Sequence, residues 1–159
     1  MKEAITMNRQ QKYKDTDTFH FHNQNPKGKL TTDCVIRAIS LAMNIPYNQV
    51  VMDLAKLQCE TGLDDGEKRL YGKYIESKGW VKHSQPRMDD NTKYTGERFC
   101  TWLSVNKRKD YGNVIAHIGG NHIVAIVPTC EGDGINDRFK VCDTWDSTQG
   151  CIGNYWTKA

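Results

Sequence analysis

Residues 29–43 constrain the fold more than any other stretch, because a cysteine stands there at the start of an apolar, helix-forming run. Residues 31–33 are Thr-Thr-Asp, residue types that accept hydrogen bonds from the free N–H groups at a helix start. After Cys34 the surface of the expected helix is nearly continuously apolar, broken only by Arg37 and Ser40. The stretch therefore predicts a buried helix that begins within a residue or two of Cys34.

The position of Cys34 at a helix start indicates a reactive cysteine. The first turn of a helix carries the positive end of the helix dipole and unsatisfied N–H donors, which favour a thiolate over a thiol. The thiolate is the reactive form, so Cys34 is a candidate nucleophile. Asp33 beside it would raise the pKa of the thiol unless Arg37 or helix N–H groups engage that carboxylate. The alternative is that Cys34 fills space at a helix end as a small hydrophobe, as free cysteines commonly do.

Length and composition indicate one domain. With 159 residues, of which 38% are hydrophobic, the chain can bury a core without disulfides or a structural metal. Residues 1–18 are polar and poor in aliphatic side chains, which predicts a flexible N-terminal tail or a lightly docked arm. Residues 19–159 are expected to form the single domain.

The hydrophobic periodicity changes along the chain from helical to strand-like. The predicted helices share a period near 3.6 and cover residues 34–43, 47–60, 64–77 and 96–105. The predicted strands share a period of two and cover residues 19–22, 113–118, 121–127, 138–143 and 151–156. This segregation predicts an α+β fold, in which a helical half carrying the nucleophile packs on an antiparallel sheet.

The composition argues against several classes of partner. The net charge of +3 comes from 22 basic and 19 acidic residues spread along the chain, so no nucleic-acid-binding face is predicted. No stretch is apolar enough for a membrane span or a secretion signal, which predicts a cytoplasmic protein. The six cysteines are then expected to be free thiols, and without CxxC pairs or clustered histidines they predict no metal site and no cofactor. The oligomeric state is left open.

Two later residues could complete a site with Cys34. His122 follows a glycine turn at the start of an apolar strand, and Asp143 stands at the end of the next strand. A nucleophilic thiol needs a base, and the base needs a group that orients it and supports its charged form. His117 is a rival for the base, and Asp146 is a rival for the orienting carboxylate. Alternatively, His122 is an ordinary turn histidine and Asp143 caps its own loop.

The order of these residues resembles a known family. The motifs are Asp33-Cys34 followed by Arg37-Ala38-Ile39, then Gly120-Asn121-His122 entering an apolar strand, then Asp143-Thr144-Trp145. Together they resemble the papain-like cysteine peptidases over residues 19–156. Within that superfamily they are most similar to small bacterial and phage proteins that resemble the peptidases processing bacteriocin leaders. The resemblance implies a papain-like fold for the α+β domain.

The resemblance also implies roles for individual residues. Cys34 would attack a carbonyl, His122 would act as base and then acid, Asp143 would orient His122, and Trp145 would shield their hydrogen bond from water. The family's oxyanion glutamine falls at Gly28 in this chain, so we expect Asn25 or Gln24 to donate to the oxyanion together with the Cys34 backbone N–H.

The predicted function is that of a thiol hydrolase that cleaves a peptide or isopeptide bond in a protein or peptide substrate. Loops 80–95 and 129–137 are expected to form the walls of the substrate cleft. The same fold also serves other acyl transfers, such as deamidation or transglutamination of a host protein. A third reading is a non-catalytic phage-encoded binding protein or inhibitor, acting in the host cytoplasm.

Overall fold

The computed structural model describes residues 9–64, 66–107, 110–128 and 138–159. The described helices are α1 (Arg9–Lys12), α2 (Cys34–Met43), α3 (Tyr47–Thr61), α4 (Lys68–Ser77) and α5 (Gly96–Asn106). The described strands are β1 (Phe19–Phe21), β2 (Trp80–His83), β3 (Val114–Ile118), β4 (His122–Pro128), β5 (Phe139–Asp143) and β6 (Ile152–Lys158). The mixed α+β class predicted from the sequence is therefore the class observed.

The six strands form one open sheet in the order β1-β5-β4-β3-β6-β2. Four of the neighbouring pairs are antiparallel, but β1 runs parallel to β5, with Phe19 opposite Val141. The prediction of an antiparallel sheet was therefore wrong at this edge. Strands joined by a tight turn must be antiparallel, whereas β1 and β5 are separated by most of the chain and are free of that constraint. Strand β2, in a region expected to hold at most a short strand, forms the other edge.

Helices cover both faces of the sheet. On one face, Ile115 and Ile123 share a core with residues of α2, α3 and α4. On the opposite face, Val114 and Val124 share a second core with Phe99 and other residues of α5. Successive strand residues point to opposite faces, so the near-continuous apolar runs of β3 and β4 are those of strands buried on both sides.

Local signals fix most helix ends. Helix α2 ends at Asn44 (φ 54°) and α3 ends at Gly62 (φ 71°), both in the left-handed conformation that terminates a helix. Helix α4 begins at Lys68 rather than near residue 64. The backbone N–H of Glu67 donates to the carbonyl of Asp64 at 3.0 Å, which closes a turn ahead of the helix.

Two predicted segments lie partly or wholly outside the described residues. The expected tail, 1–18, is described from residue 9, where Tyr13 packs against the core on the α5 face and Arg9 donates to Thr144 at 3.4 Å. The expected cleft loop 129–137 lies outside the described residues. Among the helices that the structure describes, none has both the length and the apolar character needed to cross a membrane.

Candidate active site

Three elements bring Cys34, His122 and Asp143 to one end of the sheet. Cys34 is the first residue of α2, His122 is the first of β4, and Asp143 is the last of β5. Strands β4 and β5 are antiparallel neighbours, so the start of one lies beside the end of the other. Helix α2 packs against β4 through Ala38, Ile39 and Ala42, which contribute to the same core as Ile123 and Ala125. This packing directs the start of α2 toward the start of β4.

His122 is held by a buried carboxylate. Gly119 and Gly120, with φ of 62° and 92°, make the tight turn that starts β4 at His122. His122 Nε2 donates to Asp143 Oδ2 at 2.5 Å, and the Asp143 residue is only 2% exposed. Asp143 Oδ1 accepts from the backbone N–H of Thr144 at 2.7 Å. The carboxylate is thereby fixed, and it fixes the plane of the ring.

The thiol of Cys34 meets the other side of this ring. Since Nε2 of His122 is bound to Asp143, the nitrogen that remains for the thiol is Nδ1. Burial acts to raise the pKa of Cys34, but the hydrogen bond and charge of His122, the backbone N–H of Ile123 and the charge of Arg37 outweigh it. The pKa of Cys34 is therefore below its ordinary value, and the thiolate is favoured.

The pKa values of the two partners shift in the sense that supports an ion pair. Burial acts to lower the pKa of His122, but hydrogen bonds and charges of Asp143 and Cys34 raise it to about 9. Burial acts to raise the pKa of Asp143, but the hydrogen bond with His122 and the charge of Arg37 lower it overall. These shifts favour a carboxylate, an imidazolium and a thiolate in series.

Arg37 is a member of this site whose contact with Asp143 was not predicted. Its Nη1 donates to Asp143 Oδ1, and its Nε donates to Asp33 Oδ1 at 2.7 Å. Sequence reasoning had placed Arg37 beside Asp33, four residues earlier on the same helix face. Arg37 thus binds two carboxylates at once. One is Asp33, next to Cys34, and the other is Asp143, which holds His122.

The two amides expected to serve the oxyanion have other partners in the structure. Asn25 Nδ2 donates to Asp33 Oδ2 at 3.0 Å and to the Tyr47 hydroxyl at 3.3 Å, which occupies both of its N–H groups. Gln24 Nε2 donates to Ser40 Oγ at 3.0 Å and leaves one N–H group for another acceptor. The Asp33 side chain makes no capping hydrogen bond to the described first turn of α2, a position where backbone N–H groups lack partners within the helix.

Trp145, which the family resemblance expects to shield this hydrogen bond, lies against the imidazole. Its ring centroid is 4.8 Å from that of His122, with an angle of 38° between the ring planes. This contact covers the His122 ring beside its hydrogen bond to Asp143, where exclusion of water strengthens the bond. Asp146, the rival orienting carboxylate, instead accepts from the backbone and hydroxyl of Thr148 at 2.9 and 2.6 Å.

His117, the rival base, has a different environment. Its Nε2 is hydrogen-bonded to the hydroxyl of Tyr71. Burial lowers the pKa of His117 to about 4, and the charges of Lys68 and Lys82 act in the same direction. A histidine in this state is neutral at pH 7 and is a weak base.

The remaining described thiols offer a contrast with Cys34. All five described cysteines are free. Burial raises the pKa of Cys100, in the core beneath α5, far above its ordinary value. Cys59 and Cys151 are exposed. Among the described residues, no three His, Cys, Asp or Glu side chains group as metal ligands would.

A cleft of about 380 Å³ opens beside the start of α2. Its walls come from both sides of Cys34 in sequence and from α3, and they are mostly apolar: Thr32, Asp33, Val35, Ile36, Val51, Leu54, Ala55, Gln58 and Gly66. Such a volume accommodates one large side chain of a bound peptide.

Comparison of the chain with protein-family models, with curated proteins and with solved structures gave no match. The functional reading of the site therefore depends on its own geometry and on the motifs that bracket it.

Proposed function

We propose that this protein is a papain-like thiol hydrolase that cleaves a peptide or isopeptide bond through an acyl-enzyme on Cys34. The observation that carries the proposal is the position of His122, which lies between a buried carboxylate and a thiol at a helix start. This is the arrangement of a base that is oriented on one side and serves a nucleophile on the other.

The proposed reaction begins with attack of the Cys34 thiolate on the carbonyl carbon of the substrate. The imidazolium of His122 then gives its Nδ1 proton to the departing amine, and the acyl group remains on sulfur as a thioester. A water molecule enters, His122 takes its proton, and the resulting hydroxide attacks the thioester. The product leaves as a carboxylic acid and the thiolate is restored.

Asp143 and Arg37 support this cycle without touching the substrate. Asp143 keeps the Nε2 proton of His122 in place, so that Nδ1 faces the sulfur in each step. Arg37 is 8% exposed and its charge keeps Asp143 ionised in a buried position. The guanidinium thereby links the helix that carries the nucleophile to the strand that carries the orienting carboxylate.

The cleft beside α2 suggests the kind of substrate. Val35, Val51 and Leu54 present aliphatic surface within it. We assign this cleft to an aliphatic side chain close to the scissile bond of a protein or peptide substrate. Action in a reducing cytoplasm, that of a host cell for a phage-encoded protein, is consistent with the free thiols.

The test is to identify products by mass spectrometry in a lysate treated with the wild-type protein, with Cys34→Ala or with Cys59→Ala. We expect new peptide termini that require Cys34 and persist in Cys59→Ala, because the exposed Cys59 lies outside the site. Small mass shifts on intact side chains, without new termini, would point instead to deamidation or transglutamination. A lysate that shows neither change would contradict the enzymatic proposal and favour a binding protein.

A further inference from the structure

Beside the triad lies a second buried pair, Tyr71 and His117, which the proposed reaction has not used. The Tyr71 hydroxyl and His117 Nε2 are hydrogen-bonded, and the two residues are only 6% and 8% exposed. The phenol ring is held edge-on by His117 and by the fully buried Trp156, with centroid distances of 5.6 and 6.5 Å. The hydroxyl is therefore fixed in position.

Strand pairing brings this pair to the nucleophile. His117 is directly opposite Ile123 in the β3–β4 ladder. The backbone N–H of Ile123 in turn is hydrogen-bonded to the sulfur of Cys34. Residues directly opposite in a ladder have Cβ atoms roughly 5 Å apart, so His117 and its phenol partner lie over the strand pair that contacts the thiolate. Tyr71 and Cys34 both pack on the core of this face.

Electrostatics agree with this proximity. Burial raises the pKa of Tyr71 to about 12, and the negative charge of Cys34 contributes to the rise. At neutral pH the phenol therefore keeps its proton. Its partner His117 is neutral and carries one ring proton. A role for the phenol as a donor requires that proton on Nε2, where His117 donates to the phenol oxygen and leaves the phenol O–H free to donate elsewhere.

Of the two amides that were expected to bind the oxyanion, Asn25 has acceptors for both of its N–H groups. Gln24 donates one N–H to Ser40 and accepts from His22 through its carbonyl oxygen at 2.7 Å, so a single N–H of Gln24 remains. The proposed reaction nevertheless places a negative oxygen on the tetrahedral intermediate next to Cys34. A fixed donor beside the sulfur is what such an oxygen requires.

We propose that the Tyr71 hydroxyl is the side-chain donor to the oxyanion, alongside the backbone N–H of Cys34, and that His117 is the positioning residue that directs it. This inference rests on the proposed function. It assigns to helix α4 the role that the family resemblance had assigned to the loop before Cys34.

The test compares two reactions of Cys34 that differ in whether they form an oxyanion. Acylation by p-nitrophenyl acetate passes through a tetrahedral oxyanion, whereas alkylation by iodoacetamide is a direct displacement at carbon. In Tyr71→Phe we expect acylation to slow by about 100-fold and alkylation to stay within about twofold of wild type. Tyr74→Phe is the matched control, because its hydroxyl lies one turn away on α4 and donates to Asp53 at 2.7 Å. That variant should leave both rates unchanged.

His117 is tested by rescue. His117→Gln can place an amide N–H near the phenol oxygen and should keep more of the acylation rate than His117→Leu, with thermal melting used to verify that both variants fold. Unchanged acylation in Tyr71→Phe, or equal losses of acylation and alkylation, would overturn the inference and leave the proposed function standing. If the wild-type Cys34 is acylated no faster than Cys59, the proposed function fails and the inference falls with it.

Discussion

His122 and His117 stand on the two strands of one hairpin, yet their environments shift them in opposite directions. The pKa of His122 is raised to about 9 and that of His117 is lowered to about 4, from the same ordinary value of 6.5. Burial by itself acts to lower the pKa of both histidines. The difference comes from the partners, because His122 faces the anions Asp143 and Cys34, whereas His117 faces a neutral phenol and two lysine charges.

The comparison shows what a histidine needs to serve as a base in this fold. Both residues are largely buried, so burial does not separate them. The strand-end carboxylate does, since it turns one imidazole into a stable cation. The other imidazole stays neutral and is suited to hold a hydroxyl rather than to move a proton.

The largest expected effect is the loss of the base. His122→Ala should slow acylation of Cys34 by p-nitrophenyl acetate about 1,000-fold, because it removes both the proton acceptor and the cation that stabilises the thiolate. His83→Ala is the control, since that ring bonds Thr157 at 2.7 Å on the far edge of the sheet. If His117→Leu slowed acylation as much as His122→Ala, the assignment of the base would be broken.

The next largest effect is on stability and concerns the buried ion pairs of Arg37 with Asp33 and Asp143. Arg37→Leu leaves Asp33 and Asp143 buried without their cation and should lower the free energy of unfolding by about 3 to 5 kcal/mol, measured in urea at pH 7. The comparison variant is Arg69→Leu, which breaks an exposed pair with Glu67 at 3.0 Å and should change stability little. Equal losses in the two variants would contradict the account of Asp143 as a carboxylate held by Arg37.

The opposite pKa shifts predict opposite effects of pH on stability. The pKa of His122 in the folded protein lies above 6.5, so its stabilisation is fully present below 6.5 and is lost as the pH rises through 9. The pKa of His117 in the folded protein lies below 6.5, so its stabilisation is present above 6.5 and is lost as the pH falls through 4. Each contribution amounts to about 3 kcal/mol.

Urea unfolding from about pH 4 to pH 10 measures both contributions. His122→Leu should flatten the alkaline fall in stability and His117→Leu should flatten part of the acid fall. If His122→Leu instead flattened the acid fall and His117→Leu the alkaline fall, or if neither variant changed the pH dependence, the two histidines would not differ in the way described.

A smaller effect is expected when the orienting carboxylate loses only its charge. Asp143→Asn keeps an acceptor for Nε2 of His122 but removes the anion, so the pKa of His122 should fall from about 9 toward 6.5 in an NMR titration. Acylation of Cys34 at pH 7 should slow by about 10-fold, since less imidazolium supports the thiolate. A His122 pKa that stays near 9 would show that the charge of Asp143 does not raise it, and would contradict this explanation of the difference between His122 and His117.

The sequence predicted those parts of the fold that local signals determine. Gly62 marked the end of α3, and the near-continuous apolar runs on either side of the Gly119-Gly120 turn identified β3 and β4. The parallel pairing of β1 with β5 and the placement of α5 on the opposite face were not predicted. Both depend on which apolar surfaces meet across the whole chain, and periodicity carries no information about that choice.

The site shows the same division. Cys34, His122 and Asp143 could be proposed together because each stands at the end of a locally predicted element and because their order resembles a known family. The contact of Arg37 with Asp143 escaped prediction because it crosses from α2 to β5. The contact of Tyr71 with His117 escaped for the same reason, since a tyrosine in an apolar helical stripe looks like an ordinary core residue until its partner strand is known.

The central claim is that His122 holds Cys34 as a thiolate, and the pH dependence of alkylation tests it most directly. Iodoacetamide labelling followed by peptide mass spectrometry gives the rates of Cys34, Cys59 and Cys151 in the same sample. We predict that Cys34 reacts rapidly at about pH 6, where the exposed Cys59 and Cys151 are still slow, and that His122→Ala abolishes this advantage. A Cys34 rate that rises with pH in parallel with Cys59, and that His122→Ala leaves unchanged, would contradict the claim.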